Sequence, residues 1–264
     1  MDRLPDTPER PMADVIRLLG APGFEQAIWQ MLQHIAAPDN LAILIYRHVG
    51  PTEVLYTQAE QPQVFDGLRT VYTGGAYLLD PYYDLHLNRV AAGIYRLRDV
   101  APDAFHRSRY CIEYYVQTTL VDELTFIAYP APGVTLNICL GRDKSSGQPF
   151  TTAQIKACHR IAPIVVALAE RHWSGLTSNA GSGADMVGTL IASAFAAHGI
   201  RLSRRQAETA LLVLRGHSSV SAGMRMGLSV QTVKVFRKQL YSRCRISSQA
   251  ELFALMLPLL KGAV

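Results

Sequence analysis

Residues 202–259 alternate helix starts and stops at short range, which leaves room there only for small, tightly turned helices. Ser203 with Gln206 three residues on is a capping box, and Leu202 is placed to staple against Ala207. Ala207, Ala210, Leu211 and Leu214 then recur at helical spacing until Gly216, so a helix is expected over Ser203–Arg215. A shorter helix is expected over Ser218–Met226, stopped by Gly227. Ser229 caps a third, Val230–Ser242. In it Val233, Phe236 and Leu240 form the inward stripe, and Gln231, Lys234, Val235, Arg237, Lys238 and Tyr241 take the opposite arc. Ser248 and Glu251 box the start of a last helix carrying Leu252, Phe253, Leu255, Met256 and Leu259, more apolar surface than a small domain needs.

A short helix, a Gly turn and a cationic helix form the helix-turn-helix arrangement, whose second helix enters the major groove of DNA. Charge agrees with this. The net charge of +5 divides into −3 over residues 1–176, −1 over 177–200 and +9 over 201–264. A basic excess confined to one end is the footprint of a nucleic-acid-binding module attached to something else. Between the two parts, Ser174–Gly183 reads SGLTSNAGSG, a composition that cannot bury a core and behaves as a linker. The expected organisation is a sensing domain over 1–173, a linker over 174–183 and a DNA-binding domain over 184–264, in line with a length of 264 residues.

The run from Leu202 to Leu255 resembles the LuxR-type helix-turn-helix family. Glu208, Gly216, Gly227, Ser229, Thr232, Val233, Lys234, Leu240, Ile246, Ser247, Ser248, Ala250 and Glu251 fall at positions typical of that family. Where the family has an acidic residue followed by Ile-Ala, this chain has Ser221-Ala222-Gly223, and a Gly inside a helix is expected to loosen it. The resemblance implies that Lys234, Val235 and Lys238 face base edges and that Gln231, Thr232, Arg237 and Arg243 lie nearer phosphates. It also implies a homodimer joined through Leu252, Phe253, Leu255, Met256 and Leu259. The alternative is that this stripe serves the domain's own core.

The first 173 residues read as α+β. A helix over Phe24–Ile35, buried strands at Leu41–Tyr46 and Val54–Thr57, a helix over Val64–Leu79, a hairpin of Leu124–Tyr129 with Val134–Leu140 and a long boxed helix from Thr151 to Trp173 suggest an antiparallel sheet covered by helices, as in GAF- or PAS-like sensors. The segment around Asp80-Pro81, with Tyr95 and Arg98-Asp99 after it, resembles the Asp-Pro segment of autoinducer-binding domains. That likeness implies a hydrogen bond from a ligand amide to Asp80. The residues themselves put carboxylates beside aromatic rings, a combination suited to a cationic amine. Asp80, Tyr82, Tyr83 and Tyr95 are the candidate ligand residues, for an amine, an amino-acid-derived compound or an amide. Asp80 is equally suited to cap the helix after it.

Other classes fit less well. A mean hydropathy of +0.09 with no long apolar run argues against a membrane span, and the first 14 residues lack a secretory pattern, so a cytoplasmic protein is expected. Four scattered cysteines and dispersed histidines offer neither a disulfide framework nor a metal site, and no cofactor is expected. Gly216-His217-Ser218-Ser219-Val220 lacks the final Gly of a nucleophile elbow and follows a helix, so no enzyme is expected. The expected function is a ligand-responsive, sequence-specific DNA-binding transcriptional regulator whose partners are double-stranded DNA and a small-molecule effector. The alternatives are a constitutive regulator with a protein-interaction module and an enzyme domain fused to a DNA-binding one.

Overall fold

The computed structural model describes residues 9–48, 52–178 and 185–261. Helices α1 (Glu9–Arg17) and α2 (Phe24–Ala36) lead into strands β1 (Asn40–Arg47) and β2 (Glu53–Ala59). After an irregular stretch come α3 (Pro81–Leu87), β3 (Gly93–Arg96), α4 (Leu97–Val100) and α5 (Arg109–Glu113). A hairpin of β4 (Asp122–Ala131) and β5 (Val134–Arg142) and the long α6 (Thr152–His172) complete this part. The five strands form one antiparallel sheet in the order β2-β1-β5-β4-β3. With the helices that follow it, the fold is α+β, as expected.

Both faces of the sheet are covered, which explains why β1 shows no polar alternation. On one face Leu41, Ile43 and Ile45 meet Leu136, Ile138 and Leu140 beneath α2 and α6. On the other, Ala42, Leu44, Tyr46 and Cys139 pack against a cluster that includes Tyr72, Tyr77, Tyr82, Tyr83 and Tyr110. All four cysteines are free and buried.

The expected helix over Val64–Leu79 is corrected. Gly67 at φ +80° and Gly75 at φ +128° interrupt it, leaving 3₁₀ turns at Pro62–Phe65 and Ala76–Leu79 around a π turn at Leu68–Tyr72. Helices α1, α3, α4, α5 and α7 and strand β3 are additions to the sequence reading. The first eight residues, the Gly-Pro pair after β1 and residues 179–183 of the expected linker lie outside the described residues.

The C-terminal part is all helix: α7 (Met186–His198), α8 (Arg204–Leu214), α9 (Ser219–Met226), α10 (Val230–Cys244) and α11 (Gln249–Lys261). The caps expected for α8, α9 and α10 are in place, and at α11 Ser248 accepts the Glu251 amide while the Glu251 carboxylate reaches the Ser247 amide in place of the Ser248 amide. Ser203 and Gln206 bond reciprocally, Ser218 accepts from Val220 and Ser221, and Ser229 accepts from the amide of Thr232. Gly227 closes α9 in the left-handed conformation at φ +65°. Gly223, read as loosening α9, is accounted for by packing. Its carbonyl accepts from the Leu228 amide at 2.9 Å, and a Cβ there would stand 2.8 Å from the Leu228 carbonyl oxygen.

Gly216 ends the α8 segment at φ +92° and lies directly against the sheet-bearing part of the chain, where a Cβ would come within 2.7 Å of the Phe105 Cα. Gly216→Ala therefore meets both a left-handed backbone and a rigid neighbour. The substitution is expected to destabilise the protein by about 1–3 kcal/mol in thermal unfolding, and an unchanged or raised melting temperature would refute the close contact.

Candidate sensor cavity and DNA-binding face

Asp80 lies at the N-terminus of α3 and is buried. Its Oδ1 accepts the Tyr82 amide at 2.8 Å, and its Oδ2 accepts the hydroxyls of Tyr72 at 2.8 Å and Tyr110 at 3.1 Å. Oδ1 thus caps α3, as the capping reading expected, while Oδ2 is held by two tyrosine hydroxyls. Burial raises the Asp80 carboxyl above its ordinary value, and the three hydrogen bonds oppose that rise.

Beside it is a cavity of about 60 Å³, lined by residues that include Leu68, Tyr72, Asp80, Tyr82, Tyr115, Glu123 and Cys139. Glu123 is a second acid on the same space, and Tyr115 donates to its Oε2 at 2.7 Å. Burial, reinforced by the neighbouring Asp80 charge, pushes Glu123 up to about 8. No Lys or Arg lines the cavity among the described residues. Of the expected ligand residues, Asp80 and Tyr82 line it. Tyr83 packs edge-on to Tyr46 and Tyr77 in the core, and the Tyr95 hydroxyl donates to the Ala91 carbonyl. Glu123 was missed as a site residue. The available signal was an acid in a strand whose neighbours Leu124 and Phe126 mark the opposite face.

On α10, Val233 and Leu240 are buried and Phe236 is half-buried, while Gln231, Lys234, Val235 and Lys238 are exposed. Val235 presents an apolar side chain among cations, at 52% exposure. Thr232 shares a hydrogen bond with the capping Ser229 hydroxyl. Arg237 folds along its own helix onto Tyr241, and Arg243 donates to the Arg201 carbonyl at 2.7 Å. The stripe on α11 is covered within the single chain. Leu252, Phe253, Met256 and Leu259 are buried and Leu255 is half-buried, with α7 and α8 on one side and α5 and residues 76–79 on the other. The surplus seen in the sequence is thereby taken up by intramolecular packing.

The two parts of the chain meet along α3, α8 and α9. Asp84 on α3 accepts from Arg215 on Oδ1 at 3.1 Å and from Arg225 on Oδ2 at 2.7 Å. Arg215 also donates through Nε to the Leu78 carbonyl, the Gly216 carbonyl accepts the Ala104 amide, and Asp103 accepts the Ser218 amide.

No family model matches the chain. An Aeromonas salmonicida protein from the exeN 3' region, described as an HTH-type transcriptional regulator, is 29% identical over 185 residues, covering 67% of this chain and 93% of that one. The crystal structure of the VqsR LBD domain from Pseudomonas aeruginosa is similar at 25% identity and a TM-score of 0.52, covering 63% of this chain and 96% of that one. A looser likeness is to the crystal structure of Escherichia coli SdiA, at 14% identity and a TM-score of 0.44, covering 96% of this chain and 97% of that one. The capped helix pair α9–α10 agrees with the helix-turn-helix named in the first of these matches, and the N-terminal part of the chain is built like the LBD domain of VqsR.

Proposed function

We propose that the N-terminal domain binds a small cationic amine in the Asp80–Glu123 cavity and that this binding modulates recognition of DNA by α10. The observation that carries the ligand class is a pair of carboxylates, Asp80 buried and Glu123 half-buried, facing one space with no Lys or Arg on its lining among the described residues. An ammonium group there supplies the missing charge and the N–H donors, and Tyr72, Tyr82 and Tyr115 offer ring faces and hydroxyls around it. A volume of about 60 Å³ has room for roughly four to six water-sized positions, which suits a short amine.

Calorimetry on the full chain with n-butylammonium and with hexanoyl-homoserine lactone tests this reading. Binding of the amine, weakened about tenfold or more in Glu123→Gln, is the expected result, since a charged hydrogen bond contributes about 1.5–3 kcal/mol. Binding of the lactone alone would replace the amine with an amide-bearing ligand. Binding of neither would leave a constitutive regulator.

The isosteric Asp80→Asn keeps a capping oxygen and should alter unliganded stability by only a few tenths of a kcal/mol through the cap, while lowering amine affinity. Unchanged affinity would remove Asp80 from the site.

Glu123 also sets a pH dependence. Its folded-state value of about 8 lies above the ordinary 4.5, so its contribution is complete below pH 4.5 and is lost as pH rises through 8. The raised Asp80 acts in the same direction. The unliganded melting temperature should therefore fall between pH 6.5 and 8.5, and Glu123→Gln should flatten that decline. An equal decline in the variant would refute the assignment.

On the DNA side, we assign base edges to Lys234, Val235 and Lys238, whose exposure supports this, and phosphates to Gln231, Thr232, Arg237 and Arg243. Lys238→Ala should cost about 1–3 kcal/mol at the operator and relax sequence preference, whereas Arg243→Ala should weaken all duplexes alike and lower the salt slope by about 0.9. Equal losses on operator and random duplexes for Lys238→Ala would overturn its role.

A further inference from the structure

We infer that Arg225 is a DNA-backbone contact for which Asp84 of the N-terminal domain competes, so that the sensor part sets DNA affinity by occupying the place of a phosphate. This rests on the DNA-binding reading and on no statement about the ligand. Arg225 stands near the end of α9, the first helix of the pair, which in docked helix-turn-helix proteins crosses the sugar–phosphate backbone. Its side chain is 39% exposed, yet its guanidinium is turned onto a carboxylate from the other part of the chain.

The arrangement around Asp84 makes exchange inexpensive. Arg215, whose side chain is only 12% exposed, holds the other oxygen and is itself fixed by the Leu78 carbonyl. When Arg225 leaves, Asp84 remains neutralised, so no shielded charge is left without a partner. The bond that breaks is a half-exposed ion pair, a weak class of contact, and the bond that forms is to a phosphate whose counterions are released. The cleft where α7, α8 and α9 meet adds a local field of the right sign, with Arg205, Arg215 and Arg225 on its lining against the single acid Glu208.

The test uses the full chain and a random-sequence 30-bp duplex, with dissociation constants measured from about 50 to 200 mM salt. Asp84→Asn should tighten binding about two- to fivefold, the scale of a partly exposed ion pair. Arg225→Gln should weaken binding and lower the salt slope by about 0.9, the share of one phosphate contact. In the double variant, Asp84→Asn should no longer tighten binding beyond Arg225→Gln alone. Equal tightening in both backgrounds would show a general charge effect and overturn the competition, as would an unchanged salt slope in Arg225→Gln. Thermal unfolding of each variant controls for loss of structure: Arg225→Gln sits on an exposed helix face and supplies the salt-slope result even if Asp84→Asn loosens Arg215. A wild-type chain that binds no duplex would instead sink the DNA-binding reading itself.

Discussion

A carboxylate inside a protein is tolerated only where donors replace the water it has lost, and Asp80 is met by three. Those donors come from separate segments. The Tyr82 amide fixes the start of α3, Tyr72 brings in the π turn and Tyr110 brings in α5. Tyr46, reaching up from β1 to the Tyr72 hydroxyl, ties the same group to the sheet. A stretch of some sixty residues built from short helices, turns and one short strand is thus organised around one buried negative charge. The cavity is the space left where the aromatic rings around that charge fail to close.

What was legible in the sequence divides along the same line. The C-terminal helices were readable because each boundary is written in neighbouring residues: the Ser203 and Ser229 hydroxyls and Gly227 act within three or four positions of themselves. Strands β1, β2, β4 and β5 were readable from apolar runs between turn residues. The stretch from Pro62 to Thr118 was not, because its short turns are stabilised by contacts from other segments and leave no period of their own. Glu123 could be assigned to the face opposite Leu124, but no local signal says that this face borders a cavity. The α11 stripe shows a related limit: sequence reveals how much apolar surface a helix has and is silent about which surface covers it.

The two acids of α3 have different fates, although they stand one helical turn apart. Asp80 is held by neutral donors in the interior, and Asp84 by two guanidinium groups at the boundary between the two parts of the chain. With only seven residues and Pro81 in its first turn, α3 has little freedom to bend between them. The organisation of the cavity and the contact with α8 and α9 therefore share one short rigid element.

The apolar cluster behind the cavity runs on without a break, from Tyr77, Leu79, Phe105 and Tyr110 through Leu211 and Leu214 to Leu252 and Met256. Such continuity limits how freely a chain of this kind can be recombined. Had the two parts touched only through polar surfaces, either could be exchanged for a counterpart from another protein by cutting between them. Here a graft would bring together two apolar surfaces shaped for other neighbours, and the mismatched area would be left to water or to other molecules of the chimaera.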